Sequence, residues 1–167
     1  MKNFIYILFI LSSFSHAQIA VGKTEVSGSN TLLDFDQNPI NSKGIILPAV
    51  TNTTSVGLTN GTFVFDINTK KVRMVENNEW KDLSDVGDTS KLNSNVSTEV
   101  GDGVIIGAET STAVGVLVLE STDKAMILPK VANPDSTVKS PYAGMICYDT
   151  VSKSLAVFDG ANWNYWK

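Results

Sequence analysis

The sequence predicts an all-β protein that consists of two tandem small β-meander repeats joined by a polar linker. Three observations lead to this prediction. The chain of 167 residues carries the same pattern of apolar runs and turn residues twice. These runs are short and rich in branched and aromatic residues, which is typical of strands. No window of the chain shows a convincing helical periodicity of its apolar residues.

The first 17 residues have the composition of a secretory signal peptide. Lys2 precedes the apolar residues 4–11, and Ser15-His16-Ala17 places small residues at the −3 and −1 positions of a cleavage site. A membrane span needs about 20 apolar residues, and neither this run nor any later one is that long. We expect cleavage near Ala17-Gln18, a mature chain without a transmembrane segment, and secretion or location at the cell surface or in the periplasm.

The first repeat is predicted over residues 18–83. Its strands are expected at residues 31–35, 45–47, 62–66, 71–75 and 79–83. Pro48 ends the second strand because proline has no N–H for a sheet ladder. A polar loop over residues 51–60 follows, and the last three strands form a meander with turns at residues 67–70 and 76–78.

Residues 84–103 are rich in Ser, Asp, Asn, Gly and Thr, which predicts a linker. The second repeat is predicted over residues 104–167, with strands at residues 115–119, 126–128, 144–149, 154–158 and 162–166. Asp159-Gly160 marks its last hairpin turn, because glycine adopts a positive φ without a Cβ clash. A unit of about 60 residues is marginally stable alone. We therefore expect the two repeats to pack on each other or on neighbouring chains.

An internal alignment supports a tandem duplication. Residues 43–50, KGIILPAV, align with residues 124–131, KAMILPKV, and the match resumes after a loop that is two residues longer in the second copy. The further aligned pairs include Leu33 with Leu117, Gly61 with Gly144, Val64 with Cys147, Asp66 with Asp149, and Trp80 with Trp163. Shared order, spacing and chemistry of this kind indicate an internal repeat.

The composition of the mature chain disfavours catalysis. Cleavage removes Lys2 and His16, which leaves 12 of the 13 basic residues against 17 acidic ones, a net charge of −5, and no histidine. A Ser-His or Cys-His nucleophilic site lacks its base. Cys147 aligns with Val64, so we expect it to be a buried core residue. The acidic balance also excludes a nucleic-acid-binding protein. We predict that the protein is not an enzyme and has no cofactor.

Two groups of acidic residues can be explained without a catalytic or metal-binding role. Asp66 and Asp149 end a strand at the first position of a turn, where the carboxylate accepts hydrogen bonds from the backbone ahead. Paired carboxylates of a glycoside hydrolase are the alternative for them. Residues 34–38 have the oxygen spacing that begins a calcium loop, but Pro39 and Ile45 stand where an EF-hand needs glycine and glutamate. We expect no metal site.

The aromatic residues near the C-terminus are the best candidates for a contact surface. Trp163 and Tyr165 share one face of a strand and Trp166 takes the other. We expect Trp163 and its equivalent Trp80 to be core residues. Tyr165 and Trp166 have no aromatic equivalents in the first copy. We predict that Tyr165, Trp166 and the neighbouring Asn164 contact a ligand or partner, because exposed rings beside polar groups stack on sugars or bind proteins.

The repeat resembles one found in secreted bacterial surface proteins and tail-fibre-like chains. The resemblance rests on Lys-Gly-Ile-Ile-Leu-Pro-x-Val at residues 43–50, on Gly-Met-Ile-Cys-Tyr-Asp-Thr at residues 144–150, and on Phe-Asp-Gly-Ala-Asn-Trp at residues 158–163. It covers most of residues 19–84 and 104–167. These motifs are structural, so the resemblance implies an exported β-rich module without a defined activity.

Together these observations predict an exported, non-enzymatic β-repeat protein with a structural or adhesive role at or beyond the cell surface. The expected partners are other surface proteins, glycans, or further copies of the chain, a trimer among them. The alternative is a small carbohydrate-binding module that uses the C-terminal aromatic residues. A hydrolase is the third option.

Overall fold

The computed structural model of the protein describes residues 18–92, 101 and 103–167. Within these residues the fold is all-β, as predicted, with fourteen strands in four sheets and two helices of four residues each. The predicted signal peptide, residues 1–17, lies outside the described residues, as does a part of the predicted linker, residues 93–100 and 102.

The first half of the chain contains seven strands and one helix. They are β1 (Ile19–Val21), β2 (Thr31–Phe35), β3 (Ile45–Ile46), β4 (Ala49–Val50), α1 (Thr53–Val56), β5 (Phe63–Asp66), β6 (Lys71–Glu76) and β7 (Glu79–Asp82).

The second half repeats this order of elements. They are β8 (Val104–Ile106), β9 (Leu117–Leu119), β10 (Ala125–Ile127), β11 (Lys130–Val131), α2 (Pro134–Thr137), β12 (Met145–Asp149), β13 (Ser154–Phe158) and β14 (Trp163–Trp166).

Each half forms a meander sheet with the same strand order. One sheet runs β4-β5-β6-β7 and the other β11-β12-β13-β14. In both sheets the first pair is parallel and the two hairpins that follow are antiparallel. The three meander strands of each half were predicted from the sequence to within one residue at each end. The first strand of each sheet was not predicted.

The missed strands β4 and β11 directly follow Pro48 and Pro129. Proline cannot donate to a ladder, but its carbonyl group still accepts. The Pro48 carbonyl accepts from the N–H of Phe65 at 2.9 Å, and the Pro129 carbonyl accepts from the N–H of Tyr148 at the same distance. The chain therefore continues along the sheet beyond each proline instead of leaving it.

The first short helix lies in the predicted polar loop over residues 51–60, and the second lies in the equivalent loop of the second repeat. Asn52 caps α1, because its side chain accepts a hydrogen bond from the N–H of Thr54 at 3.0 Å. Pro134 opens α2 at a position where the missing N–H has no intrahelical partner to lose. A single helical turn has no apolar periodicity, so the sequence pattern does not reveal it.

The two halves exchange strands. β10, from the second half, pairs in parallel with β2 of the first and completes the three-stranded sheet β1-β2-β10. β3, from the first half, pairs antiparallel with β12 of the second and adds a fifth strand to that meander sheet. β8 and β9 form a separate parallel pair. The two repeats thus share sheets within one chain.

The core is also shared between the halves. Its main cluster consists of buried side chains from both repeats: Leu47, Phe65, Val72, Leu83, Ala143, Ile146 and Val157. A second cluster fills the other face of the β12-β13 hairpin and contains Val131, Val138, Met145, Cys147, Ala156 and Phe158. Cys147 is fully buried, as predicted.

Candidate functional site

The last strand, β14, carries the residues that the sequence predicts as contacts. It is the outer strand of its sheet and pairs only with β13 among the described residues. The side chains of Tyr165 and Trp166 are 41% and 45% exposed. Successive residues of a strand point to opposite faces, so these two rings are presented on different sides of the sheet. Their contact with a partner stays a prediction.

The indole N–H of Trp166 is hydrogen-bonded within the chain, whereas much of the ring is exposed to solvent. Its indole N–H donates to the backbone carbonyl of Leu83 at 2.5 Å. This bond fixes the orientation of the ring while nearly half of the side chain remains accessible. An indole that is oriented in advance loses little conformational freedom when it binds a partner.

Both polar atoms of the Asn164 side-chain amide form hydrogen bonds within the chain. Its Nδ2 donates to Oδ2 of Asp159 at 2.8 Å, and its Oδ1 accepts from the N–H of Asp85 at 3.1 Å. The side chain thus links the last hairpin turn to the segment that leaves the first repeat. This is a positioning role, and contact of Asn164 with a partner stays a prediction.

Tyr165 keeps its phenol protonated at neutral pH. Partial burial of the ring and the negative charge of Asp149 raise the pKa of Tyr165 above its usual value. The hydroxyl group is therefore available as a hydrogen-bond donor on this exposed strand.

The two equivalent tryptophans lie at the margin of the core rather than inside it. Trp163 packs on Phe158, with ring centroids 5.3 Å apart and planes inclined by 50°. Trp80 lies beneath the guanidinium group of Arg73, whose Cζ is 5.6 Å from the ring centroid. Both indoles are half-buried. Each belongs to the outer strand of its meander. The structure thus places both tryptophans at the edge of the core, and not inside it as the sequence predicts.

Asp66 and Asp149 form turns, as predicted. Oδ1 of Asp66 accepts from the N–H groups of Asn68 and Thr69 at 3.0 and 3.3 Å. Oδ1 of Asp149 accepts from the N–H of Val151 at 2.9 Å. Burial opposes ionisation of both carboxyl groups, but the hydrogen bonds outweigh it and hold the pKa of each below its usual value.

The acidic residues at 34–38 serve local structure. Asp34 is buried, and its Oδ2 accepts from Nζ of Lys23 at 2.5 Å and from the N–H of Ser27 at 2.6 Å. Asp36 accepts from the N–H of Asn38 at 3.1 Å. Over residues 18–92, 101 and 103–167, no group of three or more His, Cys, Asp or Glu side chains is placed to hold a metal ion.

A second surface was not recognised as a site from the sequence. The parallel pair β8-β9 exposes apolar side chains on its own strands and on the residues just before β9: Val104, Ile105, Val114, Val116 and Leu117. A signal for it exists in the sequence. Residues 116–119 are four consecutive apolar residues, and such runs are typical of strands that are covered on both faces. In the single chain this strand is not covered in that way.

One family model matches the chain. It is described as "Phage tail like trimerisation region" and covers residues 105–167, from β8 to the end of β14. No curated protein and no solved structure matches the chain. In the part of the chain that the structure describes, no helix has the length and apolar character needed to cross a membrane.

Proposed function

We propose that the chain is a structural protein that assembles as a trimer in a fibre-like particle, and that it is exported to act at or beyond the cell surface. The observation that carries the proposal is the match of residues 105–167 to the phage tail-like trimerisation region. The matched residues include all but the first residue of the apolar pair β8-β9 and the whole of the exposed aromatic strand β14.

The exposed apolar side chains of β8 and β9 support self-association. Val104 and Leu117 are directly opposite each other in the ladder and about half exposed. Adjacent apolar side chains in water cost free energy of about 25 cal/mol per Å² of apolar surface left unburied. Contiguous exposed apolar patches mark interaction sites on soluble proteins.

The oligomeric state of residues 18–167 tests the proposal. Sedimentation equilibrium over a range of concentrations is expected to give three times the mass of one chain. A monomer at every concentration would contradict a trimeric assembly. Export is tested separately, with residues 1–17 fused to a reporter protein in the host cell. We expect the reporter outside the cytoplasm and the leader removed after Ala17.

A carbohydrate-binding role is a second candidate, because Tyr165 and Trp166 are exposed on one strand. A glycan array probed with residues 18–167 tests it. Binding that is lost in Trp166→Ala but kept in Trp166→Phe would support stacking of a sugar on this ring. Absence of binding to every glycan would remove this candidate and leave the structural role.

A further inference from the structure

The equivalent strands β3 and β10 use opposite edges for pairing. The N–H of Ala125 in β10 donates to the carbonyl of Asn30 at 3.0 Å, so Ala125 and Ile127 direct their backbone groups to β2. At the end of β3 the N–H of Leu47 donates to the carbonyl of Gly144 at 3.0 Å. In β3 the backbone groups of Ile45 and Leu47 therefore face the partner strand β12.

β3 thus keeps one edge free. The backbone groups of Gly44 and Ile46, which align with those of Ala125 and Ile127, point away from β12. Among the described residues no strand pairs with this edge. The side chain of Ile46 is 52% exposed. β3 and its equivalent β10 each have one partner strand among the described residues, and the edge that β10 uses for its partner is free in β3.

β9 has the complementary free edge. Its backbone bonds to β8 through the carbonyl of Val116, which accepts from Val104 at 2.9 Å, and through the N–H of Glu120 just beyond the strand. The backbone groups of Leu117 and Leu119 point to the other edge. In the first half the aligned strand β2 lies between β1 and β10, whereas β9 has only β8 beside it among the described residues.

The aligned residues of β2 and β9 differ in exposure, as expected if β9 lacks a partner strand that β2 has. Leu33 in β2 is 4% exposed, and the aligned Leu117 in β9 is 48% exposed. Leu32 is 2% exposed, and the aligned Val116 is 57% exposed. The sequence conserves apolar character at both positions between the two halves, but only the first half buries it within the chain.

We infer that β3 of one chain pairs in parallel with β9 of a second copy of this chain, and that this pairing forms the subunit interface. The inference rests on the proposed trimeric assembly. The occupant follows from the internal repeat, because β9 lacks the strand that covers β2, and β3 carries that sequence pattern with the required edge free. A second copy has to provide it, because β3 is held by β12 in a different sheet of its own chain.

The register follows from the pairing of β10 with β2. There Met126 is opposite Leu33 and Ile127 is opposite Asp34. The equivalent arrangement places Ile45 of one copy opposite Leu117 of the next, and Ile46 opposite Val118. Each chain donates β3 at one place and accepts it on β9 at another. Such a heterologous contact forms a ring when its rotation closes, here after three copies.

Cysteine cross-linking tests the pairing between chains. Two variants of residues 18–167, Ile46→Cys and Val118→Cys, are mixed, unfolded, refolded together and oxidised. Directly opposite strand residues have the Cα separation that a disulfide needs. We expect covalent dimers that contain one chain of each variant. A mixture of Leu58→Cys with Val118→Cys is the control, and we expect no such dimer from it.

A substitution that adds charge gives an independent readout. Leu117→Lys changes an exposed side chain, so each chain is expected to fold, but a charged residue on a strand edge opposes edge pairing. We expect a loss of trimer of at least tenfold in sedimentation. Leu58→Lys is the matched control, because Leu58 is 50% exposed and lies outside the strands. We expect it to leave the trimer intact.

The outcomes separate this inference from the proposed function. A trimer that shows no mixed cross-link, or that tolerates Leu117→Lys as well as Leu58→Lys, would overturn the β3-β9 pairing and leave the trimeric assembly standing. A monomeric wild-type chain would overturn both. Mixed cross-links together with dissociation by Leu117→Lys would support the pairing.

Discussion

The indole N–H of Trp166 and the backbone carbonyl of Leu83 are joined by a hydrogen bond of 2.5 Å. The bond connects the last strand of the second repeat to the end of the first repeat. Asn164 adds a parallel connection through the N–H of Asp85 at 3.1 Å. The C-terminal strand therefore contributes to the contact between the repeats as well as presenting two exposed rings.

Loss of the Trp166 donor is expected to destabilise the fold. Trp166→Phe removes the indole N–H and leaves the Leu83 carbonyl without that partner, which costs about 1 kcal/mol of unfolding free energy. Urea titration followed by circular dichroism measures it. Tyr165→Phe is the control on the same strand, with an expected change within about 0.5 kcal/mol. Equal stability of both variants would mean that the bond contributes nothing.

Three buried carboxylates are expected to make stability depend on pH. The pKa values of Asp34, Asp66 and Asp149 are lowered in the folded state. Their stabilisation is fully present above the unfolded pKa of about 3.9 and is lost as the pH falls through the lower folded values. The free energy of unfolding, measured from neutral pH down to pH 2, is expected to decrease once the pH falls below about 3.9.

Asp149→Asn is the variant that isolates one of these groups. The asparagine keeps one acceptor oxygen but cannot serve both Oδ1 and Oδ2, which accept from Val151 and Ser152. We expect a loss of about 1–3 kcal/mol at neutral pH and a smaller decline in acid. A decline as steep as that of the wild-type chain would show that Asp149 does not titrate in this range.

Gly87 is expected to tolerate no side chain. A Cβ at this position would lie 1.9 Å from the carbonyl oxygen of Asp159. Gly87→Ala must therefore displace the segment from the last hairpin turn, with a loss of about 2 kcal/mol or more. Gly115→Ala is the matched control, since the nearest atom to its Cβ is a Val118 methyl at 3.5 Å. Thermal unfolding of the two variants provides the comparison.

The Cys147 thiol is expected to be unreactive in the folded protein. Burial and the charge of Asp149 raise the pKa of Cys147 to about 12, and the side chain is fully buried. Because the thiolate is the reactive form, modification by a thiol reagent should require unfolding. Its rate in increasing urea should follow the unfolding transition. Rapid modification without urea would show that this hairpin opens locally.

The sequence predicts those parts of the fold that depend on nearby residues. The turn roles of Asp66 and Asp149 are predictable because part of their hydrogen bonding is local, to backbone N–H groups two and three residues ahead. Exposure of Tyr165 and Trp166 was expected because the first repeat has no aromatic residues at their positions. The meander strands follow from short apolar runs between turn residues.

The features of the fold that the sequence does not predict depend on contacts between residues that are far apart in the chain. Residues 43–48 and 124–129 read almost alike, yet β3 joins β12 and β10 joins β2. Gly44 allows β3 to lie close to β12, since a Cβ there, such as that of the aligned Ala125, would lie 2.6 Å from the carbonyl oxygen of Ile146. This constraint is visible only in the folded chain, so the two segments alone do not identify their partners. The same holds for the apolar surface of β8 and β9, whose exposure is visible only once the strands that could cover it are placed elsewhere.

The strand exchange between the halves also governs how the chain reaches its native state. β2 is closed by β10, so Thr31 must find Ala125 across most of the length of the polypeptide. Contacts between residues so far apart in sequence close long loops and slow folding. The first half to be synthesised cannot finish its own sheet until the second half has emerged. We therefore expect the two halves to fold together as one cooperative unit, although each carries the pattern of a complete repeat.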